Sequence, residues 1–517
     1  MTLARNSIAN GVAGLATTLA GVLSTIAIAR LLGVEGTGIV AFAVWVVTFA
    51  LLAADLGVPG TLTRYVSSSR ALLAEGQQEP GTAPAAVIGY LFWPFLLANG
   101  LLVVVLVAYA VHVAVGHPAA AATIDVENYR SSAVFWGLIA AACLTQSMAN
   151  FTYATLRGLG RFWRLAAIAA VAAAIQVVTT VIGALTLGIV GALLGAVLGY
   201  LVPALMAPGF LSPGRAPLAP PLKSRISRYA LEAWFGFIVT AFAWSRMEIA
   251  FLERSFGSEA VGLYTAGLTL SNVATQGPML LTGALLPYFA STAARGDRAG
   301  AGRAFDTVLR LFTLAVAPAC FGLAAITHEV LPLLFGAPFA PASPVAVVLL
   351  LASAVTVSAS LSTIYLLALE RTRFVLAAAG VGAVLVVLSG FLIVPVHGEI
   401  GAAVSRAAIQ FVVVGAGLWY VVHRLATPLS FDRLALILVA AAATGGAAFV
   451  VATSIGGVLG VAAAIAVGLA VYPVAIRLTG ALDESDADTI GKALTFLPAA
   501  AEGVLAAGLR LLVRRRA

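Results

Sequence analysis

At 517 residues, 61% of them hydrophobic and only 10% charged, the chain has a mean hydropathy of +1.05, far more apolar than a soluble globular domain. Its net charge of +8 comes from 29 Lys and Arg scattered through short polar breaks, which argues against nucleic acid as a partner. The composition points to an all-α polytopic membrane protein.

In chain order, apolar stretches long enough to cross a bilayer core are predicted at about 7–30, 37–61, 85–110, 131–155, 162–186, 188–211, 229–252, 260–290, 304–327, 342–369, 374–396, 398–422, 431–453 and 456–478. The first two form a hairpin. Arg30 closes the first stretch, Gly33-x-Glu35-x-x-Gly38 reverses the chain, and Asp55, Gly57, Arg64 and Tyr65 mark the far end of the second. Ala27-Ile28-Ala29 looks like a leader cleavage site, but the apolar stretch is too long for a signal peptide and more spans follow.

The distribution of basic residues tests this count. With Arg5 cytoplasmic, alternate turns carry Arg64 and Arg70, then Arg157, Arg161 and Arg164, then Arg215, Lys223, Arg225 and Arg228. The series continues through Arg295, Arg298 and Arg303, Arg371 and Arg373, Arg424 and Arg433, and ends at Arg477. The intervening turns hold Glu35, Asp125, Glu127, Glu259, Glu329 and Glu399, with only Arg30, Arg130 and Arg254 against the trend. Fourteen spans with both termini cytoplasmic satisfy the rule.

The domain organisation follows. Residues 1–211 form an N-terminal six-helix bundle, the proline- and Arg-rich 212–228 a cytoplasmic linker, and 229–425 a second six-helix bundle. Residues 426–478 add two helices, and 479–517 form a cytoplasmic tail with an amphipathic interfacial helix ending in Arg514-Arg515-Arg516. Three motifs recur. Gly33-x-Glu35-x-x-Gly38 returns as Gly257-x-Glu259-x-x-Gly262 at an offset of 224. Tyr153 with Arg161-Phe162 returns as Tyr365 with Arg373-Phe374 at 212, and Gly188-x-x-Gly191-Ala192 as Gly398-x-x-Gly401-Ala402 at 210. Nearly equal offsets imply an internal duplication, and six spans before the linker make the two copies parallel.

The segments ARLLGVEGTG, AADLG, TRYV, FGSEAVGLY, LLFGAPFAPASPV and VHGEIGAAVSRA resemble the polysaccharide-biosynthesis flippases of the multidrug/oligosaccharidyl-lipid/polysaccharide exporter superfamily, over roughly residues 5–425. The resemblance implies two six-helix bundles around a V-shaped central cavity. It also implies transport by alternating access of a polyprenyl-linked oligosaccharide, of undecaprenyl or dolichyl type, in a prokaryotic cell membrane. Expected partners are that substrate, membrane lipids, and polysaccharide polymerases and glycosyltransferases. Other members of the superfamily, drug exporters and lipid II flippases, are the alternative. Lipid II flippases carry arginines in the first span, whereas ATTLAGVLSTIAIAR has none before Arg30. A membrane polymerase or ligase is the rival from another class, but the longest outer turn, about 111–130, is short and offers few catalytic groups.

Polar groups inside apolar spans are costly unless they meet a partner or a wet cavity. Trp45, Thr48, Leu52 and Asp55 share one helix face, as do Gln146, Asn150, Tyr153 and Arg157 in span four, and Thr265, Thr269, Asn272 and Gln276 in span eight. With Arg30, Arg64, Arg406 and the pair Arg246 and Glu248, these are the candidate cavity-lining residues. Hydrogen-bonding glue between helices, a helix-end ion pair for Asp55 and Arg64, and snorkelling for Arg30 are the alternatives. The RMEIAFL run resembles an Arg-x-acid pattern of the family, with Arg246 drawing the diphosphate and Glu248 pairing an arginine or carrying a coupling proton. On a regular helix the two would point about 200° apart.

No cofactor is expected; the coupling ion, H⁺ or Na⁺, stays open. There is no GxxxxGK[ST] phosphate loop, so the chain itself is not expected to hydrolyse ATP or act as an enzyme. Asp486-Ala487-Asp488 sits in a short polar tail, His112 and His117 in a polar turn, and Cys143 and Cys320 in apolar spans. None of them is read as a metal site or a disulfide.

Overall fold

The computed structural model describes residues 2–74, 83–118, 123–211, 218–279, 282, 285–294 and 297–482. Its regular structure is helical throughout the described residues. The helices are α1 (Thr2–Ala54), α2 (Val58–Ala74), α3 (Pro84–Gly116), α4 (Ala133–Gly158), α5 (Phe162–Gly199), α6 (Leu201–Met206), α7 (Pro220–Trp244) and α8 (Glu248–Met279). They continue with α9 (Leu285–Ala294), α10 (Arg298–Phe335), α11 (Ser343–Ala359), α12 (Leu361–Ala368), α13 (Thr372–Leu392), α14 (Val394–Trp419), α15 (Phe431–Ile455) and α16 (Gly457–Thr479).

Among the described residues, each of the fourteen expected spans lies largely in helix. Ten stretches of described helix are long and apolar enough to cross a membrane, and two of these, Asn10–Ala54 and Phe162–Phe210, each hold two expected spans. The helices of spans seven and eight are not among the ten. They carry Arg228, Glu232, Glu248, Asn272 and Gln276.

Boundaries differ in two places. Helix α7 starts at Pro220, so residues 220–228, expected as linker, are helical; proline suits the first turn because it has no N–H to leave unsatisfied there. Span seven is not one helix, because α7 stops at Trp244 and α8 starts at Glu248. Span eight is helical up to Met279 and again from Leu285 among the described residues. The linker residues 212–217, with Arg215, and the tail from 483, with its expected interfacial helix and Asp486, lie outside the described residues.

Reversals inside the long helices fall on glycine. Gly33 (φ 72°, ψ −168°) and Gly257 (φ 76°, ψ −166°) adopt the same torsions, as do Gly188 (φ 59°, ψ −132°) and Gly398 (φ 57°, ψ −142°). A side chain strains such backbone, so glycine is required at each. The pairing of torsions matches the offsets of 224 and 210 seen in the sequence. The turn after α4 also repeats: Arg161 N–H donates to the Leu156 carbonyl at 2.9 Å and Arg371 N–H to the Leu366 carbonyl at 2.9 Å, around Gly160 (φ 66°) and Glu370 (φ 59°). The structural offset there is 210, not the 212 read from Tyr153 and Tyr365. Arg161 therefore corresponds to Arg371 rather than Arg373.

The chain divides into two compact units, one of Met1–Thr265 with Val386–Gly398, the other of Ala266–Leu385 with Glu399–Ala517. In the first unit α5 folds back on itself at Gly188. An added Cβ at Gly183 would lie 2.3 Å from the Gly191 carbonyl, one at Gly195 2.4 Å from Thr180 Oγ1, and one at Gly199 2.5 Å from Gln176 Cβ. Lipid gives no hydrophobic drive for helix pairing, so close packing of small residues supplies it. Large apolar side chains such as Leu97, Leu205 and Leu185 stay exposed, as suits hydrocarbon rather than water.

In the second unit α10 anchors the added pair α15 and α16 along its length. Asp306 accepts from the Ser430 N–H (2.8 Å) and hydroxyl (2.9 Å) where α15 begins, and Arg310 pairs with the same carboxylate at 3.2 Å. Midway, the Tyr472 hydroxyl donates to the Leu314 carbonyl at 2.8 Å. At the far end Glu329 accepts from Gly457 N–H at 3.1 Å, where α16 begins. A carboxylate at each helix start offsets orphan amides and meets the positive end of the helix dipole.

Candidate functional site

In the first unit the polar groups gather where helices break. The break between α1 and α2 runs through Asp55, Leu56 (φ 48°) and Gly57 (φ 69°). Ending α1 there frees its last carbonyls, and two side chains take them up: Trp234 Nε1 donates to Leu52 O at 2.9 Å and Asn99 Nδ2 to Ala54 O at 3.4 Å. Helix α7 crosses so near that a Cβ on Gly57 would lie 2.3 Å from the Ala230 carbonyl. Asp55 is half-buried at this crossing, and its Oδ1 is buried with no hydrogen-bond partner among the described residues.

The second break lies between α7 and α8. Arg246 takes φ 34° there and is exposed, while Glu248 opens α8 and is buried. Contrary to expectation, Arg246 and Glu248 do not share one regular helix, and the separation of about 200° that such a helix imposes does not apply. No glycine or proline marks the break, so the spacing of apolar residues held no sign of it. Glu248 in the first turn of α8 meets the positive end of its dipole.

A third cluster involves a residue that the sequence did not single out. Glu253, 3% exposed, accepts through Oε1 from the Tyr129 hydroxyl and from the Arg130 guanidinium, which also donates to the Glu253 backbone carbonyl at 2.6 Å. Burial, and then the neighbouring carboxylate, raise the Tyr129 phenol above its ordinary range, so it stays a donor at neutral pH. Glu35, Glu127, Tyr129, Arg130, Glu253 and Glu259 line one cleft of about 490 Å³. Beside it the repeated glycines meet: a Cβ on Gly38 would lie 1.7 Å from the Ser258 carbonyl, and one on Gly262 2.1 Å from the Val34 carbonyl. Residues 34 and 258, like 38 and 262, differ by 224, so the contact is reciprocal between the two copies of the motif. The signal that could have exposed this cluster was Arg130, a cation in a turn where the charge rule wants none.

The remaining candidates are placed as follows. Arg30 is exposed on α1, three residues before the Gly33 reversal. Arg64 is exposed on α2, its guanidinium 4.3 Å from the centre of the Tyr229 ring. Gln146 and Asn150 are half-buried on α4 and Arg157 is exposed at its end. In the second unit Asn272 and Gln276 are half-buried on α8, and Arg406 is half-buried on α14. The eleven candidates thus divide, with Arg30, Asp55, Arg64, Gln146, Asn150, Arg157, Arg246 and Glu248 in the first unit and the other three in the second.

The profile of a family described as polysaccharide biosynthesis protein matches residues 3–293. No curated protein matches the chain. Among solved structures, the lipid II flippase MurJ in an inward closed conformation superposes with a TM-score of 0.66 at 12% identity, covering 91% of this chain and 98% of that one. An inward-facing multidrug resistance MATE family transporter of the MOP superfamily gives 0.60 at 15% identity, covering 79% and 94%. An aspartate-to-asparagine mutant of the Vibrio cholerae MATE transporter VcmN gives 0.54 at 15%, covering 83% and 97%. At these identities the likeness shows the fold.

Proposed function

As the chain belongs to the polysaccharide biosynthesis protein family, we propose that it flips a polyprenyl-diphosphate- or phosphate-linked oligosaccharide from the cytoplasmic to the outer face of a prokaryotic cell membrane, for cell-surface glycan assembly. Beyond the family, the observation that carries the reading is the break at 245–247. It sets an arginine and a carboxylate at the start of α8, in the stretch read from the sequence as span seven. Broken helices of this kind present charged groups and backbone dipoles to a polar substrate while other helices face lipid. Arginine suits a diphosphate because its planar fork matches phosphate oxygens. Both termini are cytoplasmic in this reading, and the lipid tail stays in the bilayer while the head crosses by alternating access. Without a phosphate loop, the drive is an ion gradient, the membrane potential or downhill consumption of product.

The test uses purified full-length protein in sealed vesicles with a fluorescent lipid-linked oligosaccharide and an impermeant quencher. Translocation is expected without ATP. Arg246→Lys and Glu248→Gln are each expected to slow it at least ten-fold at unchanged membrane levels. A strict ATP requirement, or wild-type rates in both variants, overturns the reading.

A further inference from the structure

We propose that Arg64, Arg225 and Lys223 form a phosphate-headgroup site at the basic end of the first unit, on a platform of Tyr65, Tyr229 and Tyr90. The inference deepens the flippase reading and rests on it only for which lipid bears the phosphate.

Each of the three cations lies against an aromatic ring. Arg64 is 4.3 Å from the Tyr229 centroid and 5.8 Å from that of Tyr65; Arg225 is 6.0 Å from Tyr65; Lys223 is 5.5 Å from Tyr90. Arg64 on α2 and Arg225 on α7 therefore share one ring. The platform is itself held. Tyr65 and Tyr229 meet edge to face at 5.7 Å, Tyr65 is 7% exposed, and the Tyr90 hydroxyl shares a hydrogen bond of 2.7 Å with Ser227 Oγ. Ile226, fully buried in the core beneath, pins α7 between Lys223 and Arg228 and leaves the basic side chains at the surface.

Among the described residues, no carboxylate pairs with Arg64, Arg225 or Lys223. A ring face attracts a cation without taking up its N–H donors, and Arg64, which also hydrogen-bonds the Tyr229 side chain, keeps most of its five donors for a further partner. Three such groups on adjoining helices repel one another, and an anion with several oxygens relieves that repulsion while accepting their hydrogen bonds. A lipid phosphate or diphosphate fits this chemistry. Its source is either the lipid-linked oligosaccharide or an anionic phospholipid of the bilayer.

The test titrates full-length protein in phosphatidylcholine nanodiscs with farnesyl diphosphate and, as the uncharged control, farnesol. Wild type is expected to prefer the diphosphate by at least about ten-fold. Arg64→Gln and Arg225→Gln should each lose most of that preference, the double variant all of it, and Arg225→Lys should fall between, since it keeps charge without the fork. Thermal unfolding should be unchanged in all four, because the side chains are exposed. Replacing a third of the phosphatidylcholine by phosphatidylglycerol separates the sources. Weakened diphosphate binding in wild type assigns the site to bilayer lipid, and unchanged binding assigns it to the diphosphate carrier. Wild-type preference retained in the double variant overturns the site. If wild type still flips its substrate in that case, the flippase reading stands; if wild type binds but does not flip, that reading falls and the site stands.

Discussion

Replacing Arg130 by alanine removes the cation that faces Glu253 and leaves a carboxylate whose side chain is 2% exposed without its counter-charge. Losing one partner of a fully buried pair costs ~3–5 kcal/mol. The Arg130 side chain is 48% exposed, so water already screens part of the attraction. The Tyr129 hydroxyl also stays to donate to Oε1. A discounted loss of about 2 kcal/mol is expected, which lowers the unfolding midpoint by roughly 4–8 °C in a unit of this size. Glu253→Gln should behave differently. The amide oxygen still accepts from Tyr129 and Arg130, no charge is buried, and the amide nitrogen takes the place of Oε2, which has no partner among the described residues. That variant should stay within about 1 kcal/mol of wild type, and Arg130→Ala/Glu253→Gln should recover most of the stability that Arg130→Ala loses. Tryptophan fluorescence of the purified full chain during heating reads all four. An Arg130→Ala midpoint equal to wild type, or a double variant as unstable as Arg130→Ala, refutes the assignment of the pair as a buried charge held by its partner.

Two further outcomes are expected. Gly191→Ala should destabilise by about 2 kcal/mol or more and cut folded yield, since its Cβ would lie 1.9 Å from the Gly183 carbonyl, whereas Gly137→Ala, with nothing within 4 Å, should be neutral or slightly stabilising; equal yields for the two contradict the packing account of the α5 hairpin. A single cysteine at Gly116 should react with an impermeant maleimide in intact cells and one at Ser68 only after permeabilisation, with little background from the buried Cys143 and Cys320; equal labelling at both positions rejects the proposed orientation.

Much of the fold was legible in the sequence because bilayer physics leaves few options. A long apolar run without water must be helical, so the expected spans fall largely on helix, and Gly33, Gly188, Gly257 and Gly398 mark breaks that other residues strain to make. The duplication was legible for the same reason, since the glycine motifs repeat with their torsions. Only the structure could correct the middle repeat. Tyr153 and Tyr365 look alike, but hydrogen bonds set the register, and they pair Arg161 with Arg371.

The site was less legible, because polar contacts join residues far apart in the chain. Glu253 stands 123 residues from Arg130, and nothing in either neighbourhood names the other. The break at Ser245–Met247 has no glycine or proline to announce it, so Arg246 and Glu248 were found by their charge but not by their geometry. Arg225 looked like one more cytoplasmic cation until α2 and α7 brought it and Arg64 to the same tyrosine. Composition and spacing determined that this chain is a duplicated helical membrane protein, since those properties depend on local backbone satisfaction and apolar run length. Which charges meet depends on helix crossings set by small residues packing tightly in three dimensions, and that only the tertiary structure decided.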